Sequence, residues 1–168
     1  MKPLIKQISI LVLFAGVAAG GWFAFGQQKS APEVSVTKLD GQTLNTGALR
    51  GKVVFVNFWA TTCTTCVGEM PKVIATYKKY APQGFETLAV AMDYDNPAWV
   101  RDYTHRTGLP FTVALDSKGD AARAFGNIRL TPTSFLVDKK GRIVQQYLGE
   151  PDWNTLHARI EQLLAEQA

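Results

Sequence analysis

At 168 residues, 46% hydrophobic and 19% charged, the chain has material for one domain with a self-sufficient core plus a short appendage, so its two cysteines are not needed to staple a small scaffold. Half of its net charge of +4 comes from Lys2 and Lys6 at the N-terminus. The other cations form no basic arm or stripe, which argues against a nucleic-acid partner.

Ile8 to Phe25 is uncharged, and Ser9 is its only polar side chain. A helix needs about 17 to 25 such residues to cross a bilayer, so residues 1–26 read as a membrane anchor. Lys2 and Lys6 before the run predict a cytoplasmic N-terminus and an exported remainder. A cleaved signal peptide is the competing reading, with small residues at Val17-Ala18-Ala19. The apolar run continues through Trp22, Phe23 and Phe25 and favours the anchor. Residues 27–33 read as a linker and 34–168 as the exported domain, expected to be a monomer.

Within that domain, Val34 to Lys38 reads as an edge strand. Asp40-Gly41 marks a turn, and Gln42 to Leu44 returns as a second short strand. Val53 to Trp59 is a β-branched and aromatic run interrupted only by Asn57, the pattern of a strand buried on both faces. Thr61 to Tyr80 follows as a helix with Thr62 as its expected N-cap. Phe85 to Met92 is a strand, and Pro97 to Arg106 a helix closed by Gly108. Phe111 to Leu115 is another strand, with a small helix after it at Asp120 to Phe125. Ser134 to Val137 and Arg142 to Leu148 form a hairpin across Asp138-Lys139-Lys140-Gly141. Asp152 caps a last helix that carries Leu156, Ile160, Leu163 and Leu164 on one face. Strands alternating with helices predict an α/β sandwich around a largely parallel centre, with antiparallel additions.

Cys63 and Cys66 stand three residues apart, after the buried strand and at a helix start. Unpaired N–H groups and the helix dipole favour a thiolate there. Cys63 is therefore expected as the attacking sulfur, and the more buried Cys66 as the one that resolves the mixed disulfide. A structural bridge over so short a loop would remove little chain entropy. A zinc site would need a second ligand pair, and His105 and His157 do not form one. Both histidines read as solvated, Trp99 and Trp153 as packing residues, and Asp93, Asp95 and Asn96 as a turn rather than a metal loop.

The segment Val56-Asn57-Phe58-Trp59-Ala60-Thr61-Thr62-Cys63-Thr64-Thr65-Cys66-Val67-Gly68-Glu69-Met70-Pro71 resembles the active-site stretch of the TlpA/ResA branch of the thioredoxin-like oxidoreductases. Thr131-Pro132-Thr133-Ser134-Phe135-Leu136-Val137-Asp138 resembles that branch's cis-proline loop and the strand after it. The resemblance implies a thioredoxin-like fold, a central mixed sheet flanked by helices with an N-terminal β-hairpin. It implies that Trp59 packs beside the dithiol, that Pro132 is the cis-proline, and that Thr131 offers backbone groups to an extended substrate. It gives Glu69 either a role in tuning Cys66 or that of an ordinary helix-surface carboxylate. Asn57 stands where cytosolic thioredoxins carry a buried Asp, and this raises the weight on Glu69 or water as proton carrier.

The resemblance further implies a reductase on the periplasmic side of a bacterial inner membrane, recharged by a membrane electron donor. Its clients would be oxidised cysteine pairs in apocytochrome c, copper-site proteins or other secreted chains. The redox group would be the Cys63–Cys66 pair itself, with no cofactor and no metal. Two alternatives remain open: an oxidase that introduces disulfides, and a copper metallochaperone that uses both sulfurs as soft ligands.

Overall fold

The computed structural model describes residues 29–167. The strands are β1 (Ser35–Lys38), β2 (Thr43–Asn45), β3 (Val53–Trp59), β4 (Phe85–Ala91), β5 (Thr112–Leu115), β6 (Thr133–Val137) and β7 (Ile143–Leu148). The helices are α1 (Thr64–Tyr80), α2 (Pro97–Thr107), α3 (Asp120–Ala124) and α4 (Trp153–Ala165). All seven strands join one sheet in the order β2-β1-β5-β4-β3-β6-β7. The central β3, β4 and β5 are parallel, while β1 and β6 add to them antiparallel.

Every residue of β3 is buried. Alternation sends Val53, Phe55 and Trp59 into a core beneath α1, α2 and α4, which supply Val73, Val100 and Ile160 among others. Val54, Val56 and Phe58 face a second core with Phe135 and Ala121 of α3. Burial of each large apolar side chain contributes roughly 1.5–3 kcal/mol. By the same alternation Asn57, fully buried, points to the α1 side of the sheet.

Capping explains the ends of the helices. Asn96 accepts from the Ala98 N–H at 2.9 Å before Pro97, and Gly108 closes α2 in the left-handed region, at φ 62°. Asp152 accepts from the Thr155 N–H at 2.8 Å, which opens α4, and the Thr155 side chain followed by that N–H lowers the Asp152 pKa. Leu156, Ile160 and Leu163 then turn inward, with Leu164 packed beside them.

One expectation about the sheet fails. The strand at 34–38 is not an edge: β1 lies between β2 and β5, and β2 is the edge. Only Val36 of β1 is fully buried, so its side chains look like those of an edge strand, although its backbone pairs on both sides. Before β1, the Ala31 N–H donates to the Gly141 carbonyl at 2.8 Å, and Glu33 pairs with Arg50. The apolar run from Ile8 to Phe25 lies outside the described residues. Among the described residues no helix is long and apolar enough to cross a membrane.

Candidate active site

β3 leaves the sheet core at Trp59 and reaches α1 through Ala60, Thr61 and Thr62. The helix starts at Thr64, and its N-cap is Cys63 rather than Thr62. The Cys63 sulfur is drawn back over the first turn, where it accepts from the Cys66 N–H at 3.2 Å. It thus occupies the position over the free N–H groups that a capping hydroxyl would take. Cys63 and Cys66 are joined as a disulfide. Cys66 is fully buried in the core beside Trp59 and Met70, while Cys63 keeps a solvent-facing part. An incoming sulfur therefore meets Cys63 first.

Glu69 lies one turn beyond Cys66, on the same face of α1. It is 1% exposed, which overturns the reading of it as a surface carboxylate. Its face of the helix packs onto β3, where Asn57 Nδ2 donates to Glu69 Oε1 at 2.9 Å. The other Asn57 amide hydrogen goes to Ser134 Oγ on β6, also at 2.9 Å. The second carboxylate oxygen, Oε2, has no hydrogen-bond partner among the described residues. Burial pushes the Glu69 carboxyl up to about 7, with the Asn57 hydrogen bond pulling it part of the way back. Glu150 raises it further and Lys72 opposes. A carboxyl half-ionised near neutral pH can both take and return a proton.

The Thr131–Pro132 peptide is cis, as the resemblance implies. β6 begins next to it, and Thr133 pairs with Phe58, so continuing the register sets Pro132 beside Trp59 at the dithiol end of β3. The Thr133 hydroxyl donates to the Leu130 carbonyl at 2.7 Å, and the Gly149 N–H to the Pro132 carbonyl at 2.8 Å. Thr131 is half-buried, its hydroxyl 3.2 Å from that of Tyr94. Trp59 is fully buried, its ring 5.4 Å from that of Tyr103.

Two residues of this neighbourhood carry more than the sequence suggests. Asn57 joins α1, β3 and β6 through a single amide. Asp95, read as part of a turn, is buried and receives both the N–H and the hydroxyl of Thr61. The spacing of 34 residues between those partners gives no local signal in the sequence.

His157 differs from its expected solvated state. It is half-buried between α1 and α4, 2.8 Å from Thr76 Oγ1 and edge-on to Tyr80, and burial lowers its pKa. Trp99 also differs: it is 57% exposed. Trp153 packs as expected, under Lys72 and bonded to Glu150. His105 is exposed. Among the described residues no three His, Cys, Asp or Glu side chains cluster as metal ligands.

The sequence from residue 27 to 164 matches the Redoxin family model. A thiol-disulfide oxidoreductase ResA of Bacillus thuringiensis is 34% identical over 95% of this chain and 96% of its own. A solution structure from Neisseria meningitidis is 42% identical, with a TM-score of 0.74 over 82% of this chain and 91% of that one. A thiol:disulfide interchange protein of the thioredoxin family from Chlorobium tepidum is 27% identical, with a TM-score of 0.75 over 83% of this chain and 99% of its own.

Proposed function

We propose, from the premise that this chain belongs to the Redoxin family and is a thiol–disulfide oxidoreductase of the TlpA/ResA-like branch, that it works as a reductase of exported proteins. Its clients are oxidised cysteine pairs in apocytochrome c or copper-site proteins. The apolar run at 8–25 holds it at the outer face of a bacterial inner membrane, and a membrane thiol donor returns it to the dithiol state.

In the reduced enzyme the Cys63 thiolate attacks one sulfur of a client disulfide, and the other client sulfur leaves as a thiolate. Glu69 takes the proton of Cys66. The Cys66 thiolate then attacks Cys63 Sγ, which closes the enzyme disulfide and releases the second client thiolate. Two electrons pass from the enzyme pair to the client pair. Thr131 pairs with the extended client backbone beside Pro132, and Trp59 supports the dithiol from the core.

The observation that carries this reading is the asymmetry of the pair: a reachable Cys63 at a helix start, and a fully buried Cys66 one turn from a carboxyl held near 7. Thr64 and Thr65 between them bring no cation to stabilise a thiolate strongly, which speaks against a strong oxidant. The test is the redox potential of the purified domain. A value near the roughly −120 mV of strong oxidants would overturn the direction of electron flow.

A further inference from the structure

The loop between β4 and α2, residues 92–96, touches both halves of the dithiol site. Its Met92 N–H donates to the Trp59 carbonyl at 3.0 Å. Asp95 is 6% exposed, and both of its carboxylate oxygens are held by Thr61: the N–H reaches Oδ2 at 2.6 Å and the hydroxyl reaches Oδ1 at 2.6 Å. Tyr94 meets the hydroxyl of Thr131, next to the cis-proline. Among the described residues no cation forms an ion pair with Asp95. A buried carboxylate held only by neutral donors is a costly way to fasten a turn. Thr61 lies two residues before Cys63, in the three-residue link that delivers the sulfur to the start of α1.

We infer that Asp95 is a positioning residue for Cys63: by gripping Thr61 it holds the β3–α1 link so that the Cys63 sulfur stays over the first N–H groups of the helix. It acts through Thr61 and touches no reacting atom. The inference rests on the proposed role of the dithiol. If the link loosens, the reduced Cys63 sulfur spends time away from the Cys66 N–H and from the positive end of the helix. Its thiolate is then less favoured, and so is the reduced form of the pair.

The test equilibrates the domain with reduced and oxidised glutathione, two molecules of thiol being consumed for each protein disulfide opened. Wild-type exchange in this buffer checks the role of the dithiol independently. Asp95→Ala lowers the equilibrium constant for reduction of the Cys63–Cys66 disulfide about tenfold, which is about 30 mV for this two-electron couple. It slows alkylation of reduced Cys63 at pH 7 by a similar factor. Thr61→Val keeps the size and the N–H, removes the hydroxyl donor, and shifts both readings in the same direction by at least threefold. Thr61→Ser restores the hydroxyl and the wild-type readings. If Asp95→Ala and Thr61→Val lower only the melting temperature and leave potential and alkylation rate at wild-type values, Asp95 is a structural fastener and the inference fails. It fails equally if Thr61→Ser shifts the potential as much as Thr61→Val.

Discussion

Asn57 Nδ2 donates to Glu69 Oε1 at 2.9 Å between two side chains that are both buried, one on β3 and the other on α1. The bond joins the strand that ends before the dithiol to the helix that carries it. Asn cannot trade protons near neutral pH, so Glu69 is left as the titrating group of this pair.

A buried carboxyl with a raised pKa makes stability depend on pH. The folded-state value is about 7, against an ordinary 4.5. Below about 4.5 the group is protonated in both folded and unfolded chains, and its contribution is complete. As the pH rises from about 4.5 to about 7, the unfolded chain ionises this group while the folded protein keeps it protonated, and the contribution is progressively lost; once the pH has passed about 7 it is gone. Glu69→Gln, neutral throughout, is expected to hold its stability between pH 5 and pH 8, while the wild type loses on the order of 3 kcal/mol relative to it. Urea unfolding of the oxidised domain at both pH values checks this.

The same substitution is expected to slow turnover. A positioned general base contributes roughly 10²-fold or more, so Glu69→Gln should lower the rate of mixed-disulfide resolution by about a hundredfold at pH 7. Attack by Cys63 itself, followed by alkylation, should change little. Equal slowing of both steps would mean that Glu69 is not a base specific to Cys66.

Removing the amide tests the other end of the pair. Asn57→Ala leaves Glu69 Oε1 and Ser134 Oγ without their donor and opens a small cavity beneath α1. The expected cost is about 2–4 kcal/mol at pH 8. The cost is smaller at pH 5, where a protonated Glu69 asks less of its neighbours. The titration of Glu69 should move upward, since the lost bond is the larger of the two interactions that lower it, Lys72 being the other. Carboxyl NMR shifts of the variant read that movement directly.

These relationships were legible in the sequence to different depths. The β-branched and aromatic run of β3, broken only by Asn57, and the facing residues of α4 announced themselves by their pattern, and the dithiol by its place between strand and helix. Helix α1 shows why the rest was not. Which side of it meets β3 depends on the sheet, so Glu69 could be assigned to surface or interior only once the packing was known. The first residue of α1 moved from Thr61 to Thr64 because a sulfur, not a hydroxyl, caps it. Asp95 and Thr61, like His157 and Thr76, meet through tertiary contacts that no local pattern records.

The order of attack has its own test. Cys63→Ser is expected to abolish exchange with disulfide clients, because the remaining Cys66 sulfur is fully buried. Cys66→Ser should instead accumulate covalent adducts between Cys63 and a client, reversed by dithiothreitol and visible on non-reducing gels. Adducts formed by the Cys63→Ser protein would reverse the assigned roles.

The direction of electron flow can be pushed by a single exposed residue. Thr65 lies in the first turn of α1, between the two cysteines, and is open to solvent. An imidazole there can donate a hydrogen bond to the Cys63 thiolate and, when protonated, faces it with a positive charge. Both effects favour the reduced form of the pair. Thr65→His is therefore expected to raise the potential by tens of millivolts, since about 1.4 kcal/mol of thiolate stabilisation corresponds to about 30 mV in a two-electron couple. Equilibration with glutathione at pH 7 measures the change. The shift should shrink above about pH 8, where the imidazole has lost its proton and only the hydrogen bond remains. A potential that stays at the wild-type value across that range would mean that the sulfur at the head of α1 is not held as an anion.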